Sequence, residues 1–218
     1  MTKVSFTIAP MTTSEARRPL ASRSTRWAAG LSSAAVRAGF TADGISILSL
    51  FFAAGGVVAL LTLRQPWNLL ACAAGIQLRL LCNLLDGMVA IEGGKKSKVG
   101  VLYNEVPDRV ADSLFLVALG YAVGIPWLGW LAALAAAVTA YIRVLGGTFG
   151  LPQDFRGPLA KQHRMAVMTA GCLLGIGEWF WDGGQRILEA AAWIIAIGAV
   201  VTCGTRIHAI SRGLKSRA

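Results

Sequence analysis

Residues 82–114 read CNLLDGMVAIEGGKKSKVGVLYNEVPDRVADSL, two apolar segments joined by a short charged stretch. Asn83 and Asp86 are three apart, and Asn104, Asp108 and Asp112 follow at intervals of four, so each set lies along one helix face. Between them, Glu92-Gly93-Gly94-Lys95-Lys96-Ser97-Lys98 is a turn signal in glycine and charge. The pattern predicts a helical hairpin whose two oxygen-rich faces are turned toward each other. Ionisable groups inside apolar helices are costly, so their presence points to function.

Outward from this hairpin the chain stays apolar. Of its 218 residues 55% are hydrophobic and 15% charged, which fits one membrane domain better than a soluble one. Apolar runs near the spanning length of ~20 residues recur at 42–63, 67–92, 99–124, 127–149, 163–181 and 186–208. These predict an all-α integral membrane protein with six transmembrane helices. Residues 1–23 are polar, rich in Ser, Thr and Arg, and lack a signal-peptide core; they read as a flexible cytoplasmic tail ahead of a membrane domain over 24–218. Within Ser24–Ala38, Trp27, Leu31, Ala35 and Val36 recur near helical spacing, which predicts an interfacial helix; a solvated linker is the alternative.

The net charge of +10 raises nucleic acid as a partner, but its distribution argues against one. With the termini and the second and fourth loops on one side, that side holds 17 basic residues and the other only Arg64 and Arg186. The positive-inside rule then predicts a bacterial-type inner membrane with both termini and the hairpin turn cytoplasmic. An even number of spans agrees. Attraction to anionic membrane lipids is a secondary effect of the same charge. Cys72, Cys82, Cys172 and Cys203 lie in apolar segments without a CxxC pair and read as small buried hydrophobes.

The spacing of the hairpin resembles the signature of the CDP-alcohol phosphatidyltransferase family, Asp-x2-Asp-Gly-x2-Ala-Arg-x8-Gly-x3-Asp-x3-Asp. Here it reads Asn83-x2-Asp86-Gly87-x2-Ala90-Ile91-x8-Gly100-x3-Asn104-x3-Asp108, with every interval kept and five of eight identities. The first and third acids are Asn, and the Arg is Ile91. The resemblance implies transfer of a phosphatidyl group from CDP-diacylglycerol to a hydroxyl of a small polar acceptor, releasing CMP, in a homodimer. It implies that Asp43, Gly87, Ala90, Gly100, Lys96 and Arg109 lie near the nucleotide, with Lys95 another candidate for the diphosphate contact that Ile91 cannot make. Asp108 matches the family's catalytic base. Arg143, Lys161 and Arg164 resemble the bases that hold a phosphorylated acceptor, for which glycerol 3-phosphate is the leading expectation; serine, inositol-type and lipid acceptors stay open.

The residues themselves are compatible with that chemistry. Carboxylate and amide oxygens from Asn83, Asp86, Asn104, Asp108 and Asp112 suit Mg²⁺ or Mn²⁺ and not zinc, since no Cys or His stands among them. Two Asn in place of acids predict one tightly held ion where the family usually has two. On a helix rising 1.5 Å per residue, Arg79 is roughly 20 Å and Asp112 roughly 18 Å from the turn. That shared depth predicts an intramembrane ion pair, with metal ligation the competing role for Asp112. Pro107 predicts a kink beside Asn104. Thr41 with Asp43 reads equally as a helix N-cap, and His163 as a polar anchor at the membrane boundary. Two rival functions remain: a nucleotide-lipid-binding relative without catalysis, and an ion or proton transporter. Simple hydrogen-bonded glue between helices explains one Asn better than five spaced residues.

Overall fold

The computed structural model describes residues 25–92 and 100–217, and of Glu92, Gly100, Val101, Tyr103 and Asn104 only the backbone. Lys95, Lys96 and the 1–23 tail lie outside the described residues. Among those described the fold is all-helical: α1 (Arg26–Arg37), α2 (Ala42–Thr62), α3 (Trp67–Glu92), α4 (Gly100–Ala122), α5 (Pro126–Thr148), α6 (Lys161–Asp182) and α7 (Arg186–Lys215). Four helices, α2, α3, α5 and α7, are long and apolar enough to cross a membrane. Helices α4 and α6 occupy the other two expected positions without meeting that description. The reason is their charge: α4 carries Glu105, Asp108, Arg109 and Asp112, and α6 carries Lys161, Arg164, Glu178 and Asp182. The protein is an all-α membrane protein, with Phe51, Val58, Leu134, Leu174 and Ile197 among the large apolar side chains left on its outer surface.

Close helix contacts are made where glycine permits them. A Cβ on Gly75 of α3 would stand 2.8 Å from the Cα of Gly56 on α2. One on Gly120 of α4 would stand 2.6 Å from the Cα of Gly129 on α5. Small residues of this kind let membrane helices meet backbone to backbone. The α4–α5 connection turns at Gly124 (φ 75°), where the Ile125 N–H donates to the Gly120 carbonyl at 2.8 Å. Pro126 then opens α5, a position where no intrahelical N–H is needed. At the other ends, Thr41 Oγ1 accepts from the Gly44 N–H at 3.1 Å and caps α2. Glu178 of α6 accepts from the N–H groups of Arg186 and Ile187 at 3.0 and 2.9 Å and so caps α7 from a neighbouring helix.

The central core joins Ile76 of α3, Phe115 and Leu116 of α4, Leu128 of α5, Met165 and Met168 of α6 and Ile195 of α7. All four cysteines are free, and Cys72 and Cys172 belong to this core. Short helix α1 lies against α3, burying Ala28 beside Leu84 and Met88 while Trp27 and Leu31 face outward.

Candidate active site

The functional side chains gather where α2, α3, α4 and α6 meet. Arg79 of α3 and Arg164 of α6 are among the largest side chains wholly removed from solvent, at 0% and 1% exposure. Asp112 of α4 lies between them. Its Oδ1 is 2.9 Å from Arg79 Nη2, and its Oδ2 accepts from Arg164 Nη2 at 2.9 Å. The ion pair expected from helix depth is therefore present, with a second guanidinium that the sequence did not indicate. Both carboxylate oxygens are ion-paired to buried guanidiniums. A buried arginine without such a partner would be strongly destabilising.

One turn nearer the α4 N-terminus, Asp108 is the hub. Its Oδ1 accepts from Asn83 Nδ2 at 2.7 Å and from Arg79 Nη2 at 3.2 Å. Arg79 Nη2 also donates to the Asp108 carbonyl at 3.1 Å, which fixes the backbone along with the side chain. Asp108 Oδ2 forms an ion pair with Lys161 Nζ at the start of α6. Asp86, buried to 4% exposure, accepts from Ser46 Oγ at 2.7 Å through Oδ2, while its Oδ1 has no hydrogen-bond partner. Its charge lies within electrostatic range of Asp108 and Lys161. The oxygen-bearing faces of α3 and α4 are thus turned toward one another, as the hairpin pattern predicts.

A second cluster of charge lies beside this hub. Arg143 of α5 donates through Nη2 to both oxygens of Glu105 at 2.8 Å and through Nη1 to Gln153 Oε1 at 3.0 Å. Arg109 stands one turn on from Glu105, 3.7 Å from its carboxylate. Arg206 of α7 is buried, donates to the carbonyls of Arg156 and Thr139 at 2.9 and 2.7 Å, and lies within electrostatic range of Arg143 and Arg164. The connection over residues 149–160 seats this cluster. Leu159 N–H donates to Thr202 Oγ1 at 3.1 Å, and Arg164 Nη1 donates to the Leu159 carbonyl at 2.8 Å. In the same connection burial pushes the Asp154 carboxyl up, but hydrogen bonds from Arg156 outweigh it and hold the carboxyl below its ordinary value.

Sequence reasoning missed Ser46, Glu105 and Arg206. Ser46 stood at the opening of α2 and Glu105 within the hairpin, but neither spacing nor depth singled them out. Arg206 was counted only among cytoplasmic bases. Of the predicted nucleotide residues, Asp43 lies in the first turn of α2, while Gly87 and Ala90 follow Asp86 on α3. Gly100 begins α4, and Asn104 is on the same helix, its side chain outside those described. His163 is exposed with Nδ1 2.9 Å from the Pro158 carbonyl, in keeping with a polar anchor. A cavity of about 320 Å³ at the far ends of the helices, lined by Leu60, Gln65, Asn68, Tyr121 and Gln185 among others, holds no charged residue and is separate from this chemistry.

The donor set fits a hard divalent cation. Asp86 offers a buried oxygen with no hydrogen-bond partner, and the donors around it are carboxylates, amides and a hydroxyl. Among the described residues no group of three or more His, Cys, Asp or Glu could hold an ion, so amide oxygens would have to complete a shell.

A helical membrane domain with an arginine-braced carboxylate hub at these intervals defines a class: the chain belongs to the CDP-alcohol phosphatidyltransferase family, whose members are phosphotransferases. It is 29% identical over 187 residues to the phosphatidylinositol phosphate synthase of Mycobacteroides abscessus, covering 83% of this chain and 81% of that protein. It is 31% identical over 130 residues to the archaetidylinositol phosphate synthase of Aeropyrum pernix, covering 58% of this chain and 66% of that one. Its fold is similar to crystal structures of Mycobacterium tuberculosis phosphatidylinositol phosphate synthase. The one with CDP-DAG bound gives a TM-score of 0.70 at 23% identity, over 85% of this chain and 94% of that one. The complex with manganese and citrate gives 0.70 at 22% identity, over 84% and 88%. No protein-family model matches the chain.

Proposed function

We propose that this protein transfers a phosphatidyl group from CDP-diacylglycerol to a hydroxyl of an inositol phosphate, releasing CMP and forming phosphatidylinositol phosphate. The observation that carries this reading is the Asp108 carboxylate held by Arg79, Lys161 and Asn83 one turn from the Asp112–Arg164 pair, with the buried Arg206 within electrostatic range of Arg143 and Arg164. Such a cluster suits an acceptor that is itself anionic, because guanidinium forks match phosphate oxygens. The names of the sequence relatives favour inositol phosphate over the glycerol 3-phosphate expected from the sequence.

Asp108 takes the proton of the acceptor hydroxyl while that oxygen bonds to the β-phosphorus. The bond from the β-phosphorus to the bridging oxygen breaks, and CMP leaves with the electron pair. A bound Mg²⁺ or Mn²⁺ supplies charge neutralisation on the diphosphate. Asp86 with Asn83 and Asn104 would hold it. Arg79 fixes Asp108 through both its carboxylate and its carbonyl, and Asp112 positions Arg79 and Arg164. Arg109, Gly87, Ala90 and the turn lysines Lys95 and Lys96 remain the nucleotide side of the site. In this reading α4 and α6 also cross the membrane, giving six spans. Helix α1 lies on an inner-membrane surface with its Trp27 and Leu31 face in lipid, the termini and site are cytoplasmic, and the chain works as a homodimer.

The test is CMP release by the purified protein in lipid nanodiscs with CDP-diacylglycerol and Mn²⁺ or Mg²⁺. Inositol phosphate, glycerol 3-phosphate, inositol and serine are offered in turn. CMP release with inositol phosphate, and a phosphatidylinositol phosphate product by mass spectrometry, is the expected result. Release with another acceptor alone sinks the acceptor assignment. Release with none leaves a nucleotide-lipid-binding relative, the reading that Asn83, Asn104 and Ile91 would then explain.

A further inference from the structure

The buried carboxylates of the site are not equally supplied with positive charge. Asp112 has two guanidiniums, and Asp108 has Arg79 and Lys161. Asp86 accepts from the Ser46 hydroxyl and the Gly87 N–H, has no ion-pair partner among the described residues, and its Oδ1 is without a hydrogen-bond partner. Among the described residues three cations, Arg79, Lys161 and Arg164, therefore face these three buried acids, and the one left without direct ion pairing is Asp86. The two positions where the family signature has further acids are Asn83 and Asn104. Asn83 turns its amide N–H₂ toward Asp108, so on that side it donates a hydrogen bond where an acid would add negative charge.

We propose that the Lys161 ammonium occupies, at Asp108, the place of a second divalent cation, so that this chain binds one divalent ion, at Asp86. This rests on the phosphatidyltransferase reading and refines it. A dication brought to Asp108 would meet Lys161 on Oδ2, and Arg79 and the Asn83 amide on Oδ1, with no added acid to offset the repulsion. Like charges at contact distance repel strongly in a poorly screened site. The ammonium instead supplies a fixed positive charge beside Asp108 that no chelator can remove. Loss of two acids and the presence of Lys161 are then one adjustment of the site's charge.

The experiment is Mn²⁺ binding to the full chain in nanodiscs containing CDP-diacylglycerol, read by electron paramagnetic resonance as free and bound ion. Wild type is expected to hold one Mn²⁺ per chain. Asn83→Asp with Asn104→Asp, Lys161 retained, still holds one tight ion. Adding Lys161→Met, or Lys161→Gln where the methionine variant does not fold, brings in a second, with an affinity gain of about 10- to 100-fold and the broadening of two neighbouring manganese ions. Two ions in wild type, two in the doubly acidic variant with Lys161 present, or one in the triple variant each overturn the inference. Failure of the wider reading is separate: one bound Mn²⁺ with no CMP release from any acceptor leaves the charge assignment intact and removes the enzymatic one.

Discussion

Asp112 makes no outward contact yet holds two buried arginines in place, and that sets what its loss should do. Asp112→Asn keeps the shape but leaves Arg79 and Arg164 short of a counter-charge, so it should destabilise the fold by about 3–5 kcal/mol. Thermal unfolding in detergent measures this; Mn²⁺ affinity should stay near wild type, and the opposite pattern would make Asp112 a ligand. Asp108→Asn should destabilise less, because Arg79 keeps Asp112 and Lys161 is partly exposed, while CMP release falls by ~10²–10⁴-fold. At Asp154 the folded carboxyl lies below its ordinary value, so its contribution is present above that value. It is lost as pH falls through the folded one. Protection of the 149–160 connection from proteolysis should therefore weaken only under acid, and Asp154→Asn should abolish that pH dependence. The sequence indicated Arg79 with Asp112 because depth along a helix is simple arithmetic. It could not indicate Arg164, whose distance in sequence from Asp112 carries no geometric information.

At the scale of elements, the helix-to-helix contacts depend on residues with no side chain to spare. A methyl group on Gly129 would stand 2.7 Å from the Leu116 carbonyl and 2.9 Å from the Gly120 Cα, both backbone atoms that cannot move aside. Gly129→Ala should destabilise by about 1–3 kcal/mol and lower the unfolding temperature, whereas an alanine at Gly55, with nothing within 4 Å, should be tolerated. Glu178→Ala should cost about 1–2 kcal/mol by uncapping α7. The helix boundaries expected from hydropathy match α2 to α6 within about two residues, a scatter ordinary for helix ends. The last helix was expected to stop at 208 and instead runs to Lys215. Hydropathy reports where apolar residues stop, while the backbone ladder continues into a basic turn containing Arg212 and Lys215.

Across the whole molecule, charge in α4 and α6 is what separates six expected spans from the four that qualify by apolarity. The part of that charge nearest the middle of the bundle is directed inward: Asp108, Asp112 and Arg164 are buried among helices. Membrane helices tolerate such residues when they face the bundle interior and are paired. Single cysteines placed at Gly124, Gln65 and Gly184, in a background without the four native ones, should be labelled from the outer side by an impermeant maleimide. Cysteines at Asp154 and Ser216 should not. Labelling of Gly124 from the same side as Asp154 would mean that α4 does not cross.

What the sequence determined by itself was the two helices, their intervals and the facing of Asn83 and Arg79 toward Asp108 and Asp112, because helical periodicity converts spacing directly into a shared face. It also indicated the family chemistry through Asp86, Gly87, Ala90, Gly100 and Asp108. Only the tertiary structure decided which partner meets which acid: Lys161 on Asp108, Arg164 on Asp112, the Ser46 hydroxyl on Asp86. Those partners come from α2 and α6, and their approach is fixed by packing across the bundle, where neighbours in space are remote along the chain.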